Sequence, residues 1–86
     1  MKFKDTFLNK EMRYSLGQEL ESKKFYVSIP VSNSLVDYEE YYEVNKVFHD
    51  SYPSNIDEVE IFVQSCRNQL QDSLLIVKPG RDRGVA

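Results

Sequence analysis

Cys66 and His49, each alone of its type in the chain, form the one nucleophile-and-base pair that the sequence offers for covalent catalysis. That chemistry needs a thiolate in an electropositive, partly exposed setting. Cys66 instead falls in the helical series Ile56, Val59, Val63, Cys66 and Leu70, where a free cysteine behaves as a small hydrophobe. Packing is its expected role, and no catalytic residue is assigned. His49 with Asp50 and nearby carboxylates could be offered to a metal. One histidine and no ligand-spaced cysteines do not make a zinc site, and the acidic residues lack the spacing and glycine of a calcium loop. No metal and no cofactor are expected. Glu39 with Glu43 could act as acid and base in hydrolysis. So short a chain has little room for the cleft that would desolvate one of them.

Recognition chemistry is better represented. The stretch from Phe25 to Glu60 holds eight acidic residues and one basic residue, Lys46, against an overall formal charge of −3. Both flanks are net basic. Within the acidic stretch Asp37, Tyr38, Glu39, Tyr41, Tyr42 and Glu43 interleave rings with carboxylates, a composition suited to a basic, amphipathic protein partner. These six are the candidate partner-binding residues. A plainer assignment has Tyr38 and Tyr42 packing a sheet face while the carboxylates face water. Arg81 and Arg83 lie between glycines near the C-terminus, in a stretch that reads as a flexible tail able to order on contact with a partner. Lys2, Lys4, Lys10 and Arg13 could touch phosphates, but the acidic centre would repel the same backbone, which argues against nucleic acid as a partner.

Elements that could position these residues follow from pattern. The 86 residues, 41% hydrophobic and 29% charged, allow one domain with one modest core. Residues 1–80 are expected to form that domain and 81–86 the tail. The longest apolar run is Leu74 to Val77, far short of a membrane span, and no apolar leader opens the chain, so a cytoplasmic location is expected. A single cysteine leaves no disulfide framework to support the core, which self-association could support instead.

Leu8, Met12, Leu16 and Leu20 recur every fourth residue and predict a helix from about Thr6 to Glu21, with Gly17 an unfavourable interior residue. Phe25, Val27, Ile29 and Val31 alternate with Tyr26, Ser28 and Pro30 and predict a strand whose pairing stops, or lies at an edge, at Pro30. Asp37 to Val44 suits a second strand better than a helix, because its apolar residues split to two sides of a helical wheel. A short helix capped at Asn45 and a longer one capped at Asn55, with Glu58 three residues on, come next. Leu74 to Val77, bounded by Pro79 and Gly80, predicts a buried central strand.

The expected architecture is therefore α+β, a small three-stranded sheet with helices packed on one face, in the order α-β-β-α-α-β. The expected function is that of a small non-enzymatic interaction module, an adaptor or inhibitor, that binds a basic partner. A self-associating homodimeric subunit is the alternative, and an enzyme built on Cys66 and His49 ranks third.

Overall fold

Strand structure, read in the centre of the chain, extends to its first quarter as well. The computed structural model describes residues 1–86. Its four strands, β1 (Phe3–Asn9), β2 (Tyr14–Glu19), β3 (Phe25–Ser32) and β4 (Asp37–Val44), are followed by helices α1 (Lys46–Asp50) and α2 (Ile56–Arg67) and a single 3-10 turn at Asp72–Leu74. The strands form one antiparallel sheet in the order β1-β2-β3-β4. Each strand pairs with the next in sequence, which short hairpin connections permit.

This small α+β domain is not the expected three-stranded sheet in the order α-β-β-α-α-β. The predicted Thr6–Glu21 helix is a hairpin of β1 and β2. A spacing of four is also twice the strand period, so Leu8, Met12, Leu16 and Leu20 do not distinguish a helix from two strands. Once folded they do not share a face: Leu16 is buried while Leu8, Met12 and Leu20 are exposed. The chain reverses at Lys10–Arg13, where the Met12 N–H donates to Asn9 Oδ1 at 3.0 Å and Arg13 takes a left-handed φ of 58°, so a side-chain-to-backbone bond closes the turn. Gly17 lies mid-strand on β2.

The predicted central strand at Leu74–Val77 is also absent. Leu74 ends the 3-10 turn, and the chain then touches the outer edge of β4 only through a Leu75–Tyr42 bridge and an Ile76 N–H to Tyr41 O bond of 2.9 Å. Leu75 is buried, whereas Val77 is exposed. An apolar run of four residues can be anchored by one member, and run length alone does not reveal which.

β3 and β4 lie where alternation places them. Val27, Ile29 and Val31 from β3 join Leu16, Tyr14 and Tyr42 from the neighbouring strands and Val59, Val63 and Cys66 from α2 in one core cluster that Leu75 completes. Each fully buried aliphatic side chain stabilises the fold by about 1.5–3 kcal/mol. Pro30 finds its missing donor accommodated. β2–β3 pairing ends at Ser15 opposite Ser28, and Pro30 shares the parity of Ser28 and Ser32, whose backbone faces that vacated side. There Val85 exchanges both backbone hydrogen bonds with Ser32.

Asn45 caps α1 by accepting from the Phe48 N–H at 2.8 Å. Asn55 opens α2 without a side-chain cap bond. Its amide donates to Phe48 O at 2.9 Å, tying the two helices together. No helix is long and apolar enough to cross a membrane.

Residues 81–86, read from sequence as a flexible tail, are held at several points. Arg83 donates to Glu40 through Nε and Nη2 (2.8 and 3.2 Å) and to Asp72 through Nη1 and Nη2 (2.8 and 2.9 Å). The Gly84 N–H donates to Tyr38 Oη at 2.6 Å.

Candidate functional site

The helices pack on the sheet face that carries Val27, Ile29 and Tyr42, so β4's other face looks away from them. Alternation along β4 sends Tyr38, Glu40 and Tyr42 inward and Asp37, Glu39, Tyr41 and Glu43 outward. The helix-free face is completed by residues of every other strand. Phe3 and Asp5 come from β1, Ser15 and Gly17 from β2, and Tyr26 and Ser28 from β3, as the register requires.

Three rings form a plate across this face. Phe3 and Tyr41, from strands at opposite edges, stack at 3.7 Å with planes 11° apart. Tyr26, fully buried beneath them, meets both edge-on, at 5.0 Å from Tyr41 and 5.5 Å from Phe3. Such ring pairs contribute about 0.5–1.5 kcal/mol each beyond the area they bury. The plate requires a glycine at position 17. A Cβ there would sit 2.4 Å from Tyr26 Oη and 2.2 Å from Lys4 O, so the Tyr26 ring passes over a bare backbone. Its hydroxyl then donates to Asp5 Oδ1 at 2.6 Å.

Charge surrounds the plate. Asp5, Asp37 and Glu39 form no ion pair, and Glu43 has a single long contact of 3.9 Å to Lys24. Partial burial raises the Glu39 carboxyl above its ordinary value, with the Asp5 charge adding to the rise and Ser28 and Arg13 opposing it. Burial, followed by the charges of Glu39 and Asp5, likewise raises the Tyr41 phenol. All of these shifts lie in the direction that an arriving cation would reverse.

The six candidate binding residues are therefore divided. Asp37, Glu39, Tyr41 and Glu43 share the helix-free face. Tyr42 is fully buried in the core, donating to Glu40 Oε1 at 2.8 Å, and Tyr38 accepts from Gly84 on the inner side. Phe3, Asp5 and Tyr26 belong to the outer face as well; alternation along β3 already sends Tyr26 to the side away from Val27, but Phe3 and Asp5 escaped the sequence reading. The register shift between Asp5 and Phe7 is the reason: a bulge turns Phe3 outward and Phe7 inward, which erases the alternation that would have marked a strand.

The structure does not bring Cys66 and His49 together. Cys66 is buried on α2, its thiol pushed up to about 12, first by burial and then by the charges of Glu40 and Asp72. His49 packs between Phe25, at 4.7 Å, and Phe7, at 5.5 Å, with Nδ1 2.7 Å from Asp50 Oδ1. No hydrogen bond joins it to Cys66. Glu39 and Glu43 share the open face, but only Glu39 borders a concavity, a shallow one of about 220 Å³ beside Lys10, Arg13, Ser15 and Pro30 that Glu43 does not line. No group of three or more His, Cys, Asp or Glu side chains is placed to hold a metal ion.

No protein-family model matches the chain, and no curated protein and no solved structure shows a significant match to it.

Proposed function

We propose that this protein is a small interaction module, an adaptor or inhibitor without catalytic chemistry, that docks a basic protein on the helix-free face of its sheet. The observation that carries this reading is the pairing of two partly exposed rings, Phe3 stacked on Tyr41 and held from beneath by the buried Tyr26, with four surrounding carboxylates of which three have no ion-pair partner. Rings held by stacking lose little conformational freedom on binding, and aromatic anchors dominate binding energy at such surfaces. Unpaired carboxylates around them select a basic target and accelerate encounter.

Capture from lysate at low and high salt, followed by kinetics with the captured partner, tests this reading. Replacing Glu39 and Glu43 by lysine should slow association and flatten its salt dependence, and Tyr41→Ala should accelerate dissociation. Unchanged rates in all three folded variants would place the binding surface elsewhere.

A second reading, self-association, is supported by the outer edge of β1, which no strand covers. An unpaired edge is a template for pairing with a second copy, although the bulge and neighbouring lysines blunt it. Equilibrium sedimentation at micromolar concentration distinguishes the two, because a monomer of 10.1 kDa throughout that range removes the dimer.

A further inference from the structure

The largest concavity of the molecule lies away from the acidic sheet face, between the turn joining β1 to β2 and the side of α2. It encloses about 520 Å³ and is lined by Met12, Tyr14, Ile61 and Val63 together with Asp57, Glu60, Gln64 and Arg67. A mostly apolar concavity of several hundred Å³ with a few polar groups has the dimensions of a small-ligand site. Two of its apolar walls are exposed: Ile61 is 74% and Met12 44% accessible. Nothing in the chain covers them.

The polar groups give this groove a sign and a fixed point. Arg67 turns its guanidinium to the backbone carbonyls of Met12 and Arg13 and to Gln64 Oε1, so its donors are engaged. Asp57 and Glu60 form no ion pair, and the two carboxylates outnumber the one cation. Glu60 is held in place from behind. The Tyr14 hydroxyl donates to Glu60 Oε2 at 3.2 Å, while Asn9 Nδ2 approaches Tyr14 Oη at 3.2 Å and the Tyr52 hydroxyl lies 3.0 Å from it. Burial keeps Tyr14 protonated by raising its pKa, and the chain of hydroxyls therefore ends on one carboxylate oxygen. The other, Glu60 Oε1, has no partner in the protein. A carboxylate fixed by one oxygen and open at the other, beside an apolar trough, matches a cation joined to an apolar body.

We infer that this groove is a binding site for a small amphipathic ammonium, its apolar body lying along Met12, Ile61 and Val63 and its charged head on Glu60. The assignment is independent of the docking face proposed above, because it shares none of that face's residues.

The test is an NMR titration of the full chain with hexylammonium, and with hexanoate and hexanol as controls of the same length. Hexylammonium should bind saturably, with amide shifts centred on Met12, Tyr14, Ile61 and Gln64, and about tenfold more tightly than hexanoate, since one compound pairs with Glu60 and the other is repelled by it. Glu60→Gln, which preserves an acceptor for Tyr14, should cut the preference to about threefold or less, leaving only the weaker field of Asp57. Ile61→Ser, at an exposed position, should weaken hexylammonium and hexanol alike by about threefold, in keeping with the loss of a partly buried hydrophobic contact. Equal affinity for hexanoate, a preference unchanged in Glu60→Gln, shifts centred on Asp37–Glu43, or no saturation up to the solubility limit would each overturn the assignment.

Discussion

Glu39 and Glu40 are adjacent in sequence and opposite in circumstance. Glu40 points inward, is 6% exposed, accepts from Tyr42, and binds Arg83 through both carboxylate oxygens. Glu39 points outward with no ion pair, and its carboxyl is raised by burial against the sheet. One carboxylate holds the C-terminal stretch on the domain. The other lacks such compensation, which the proposed basic partner would supply. A strand delivers both conditions at once because successive side chains take opposite faces.

The inward side offers the largest effect. Glu40→Ala leaves Arg83 its Asp72 contacts and should cost about 1.5–3 kcal/mol. Arg83→Ala leaves the buried Glu40 carboxylate with no cation and should cost about 3–5 kcal/mol. For a domain of this size that lowers the melting temperature by roughly 15 °C or more. Replacing both residues with methionine should recover most of the loss, since a buried ion pair is often matched by apolar packing of similar volume. Asp72→Asn should cost no more than about 1 kcal/mol, because that carboxylate is half exposed and screened. Thermal unfolding of the four variants checks the ranking; equal losses for Glu40→Ala and Asp72→Asn would contradict the distinction between the two acids that hold Arg83.

On the outward side, the next largest effect comes from the backbone beneath the rings. Gly17→Ala puts a methyl against Tyr26 and the Lys4 carbonyl, and should cost about 1–3 kcal/mol as an overpacked site. Near-ultraviolet circular dichroism should change with it, because the Tyr26 and Tyr41 rings must shift. A stability loss with unaltered aromatic signals would mean that the β1–β2 pairing yields instead of the plate.

How much of this was legible in the sequence depended on which periods were unambiguous. β3 alternates with period two, whereas β4 is ambiguous in sequence and reads as a strand only because its apolar residues split on a helical wheel. Once it is a strand, the division of Glu39 from Glu40 follows. β1 was not legible, because its bulge interrupts the alternation after Asp5 and the leucines at spacing four fit a helix equally well. Gly17, an apparent flaw in that helix, was the available signal of a strand over which a ring must pass. Arg83 was visible only as one of two arginines between glycines. Its carboxylate partners lie 11 and 43 residues away, a separation that no local pattern encodes.

Acid separates the stabilised carboxylates from the uncompensated one. Glu19, buried at the β2–β3 turn, is lowered to about 2, first by the Ser22 side chain and then by the backbone N–H groups of Lys2 and Glu21. Its folded pKa is depressed, so its contribution is fully present above the ordinary carboxylate value and is lost as pH falls from about 4.5 towards about 2. Asp72, lowered by Arg83, acts with the same sign. Denaturant midpoints measured down that range should fall for the parent chain and fall less steeply for Glu19→Gln, which begins less stable at neutral pH. A parallel pair of curves would mean that other groups control the acid limb.

Glu39 should behave in the opposite sense, and with the smallest effect of the set. Its folded pKa is raised, so protonation is favoured by folding, and its contribution is present at low pH and lost as pH rises through the ordinary carboxylate range and beyond it. At neutral pH the ionised carboxylate is therefore a mild liability to the isolated chain. Glu39→Gln removes that charge while keeping shape and hydrogen-bonding capacity towards Ser28. It should leave stability unchanged or raise it by up to about 0.5 kcal/mol, the scale of an exposed substitution. The same substitution should weaken capture of a basic partner at low salt, where a single surface charge is least screened. Stability lost by more than that amount would show that Glu39 supports the fold as Glu40 does, and the contrast between the two faces of β4 would then fail.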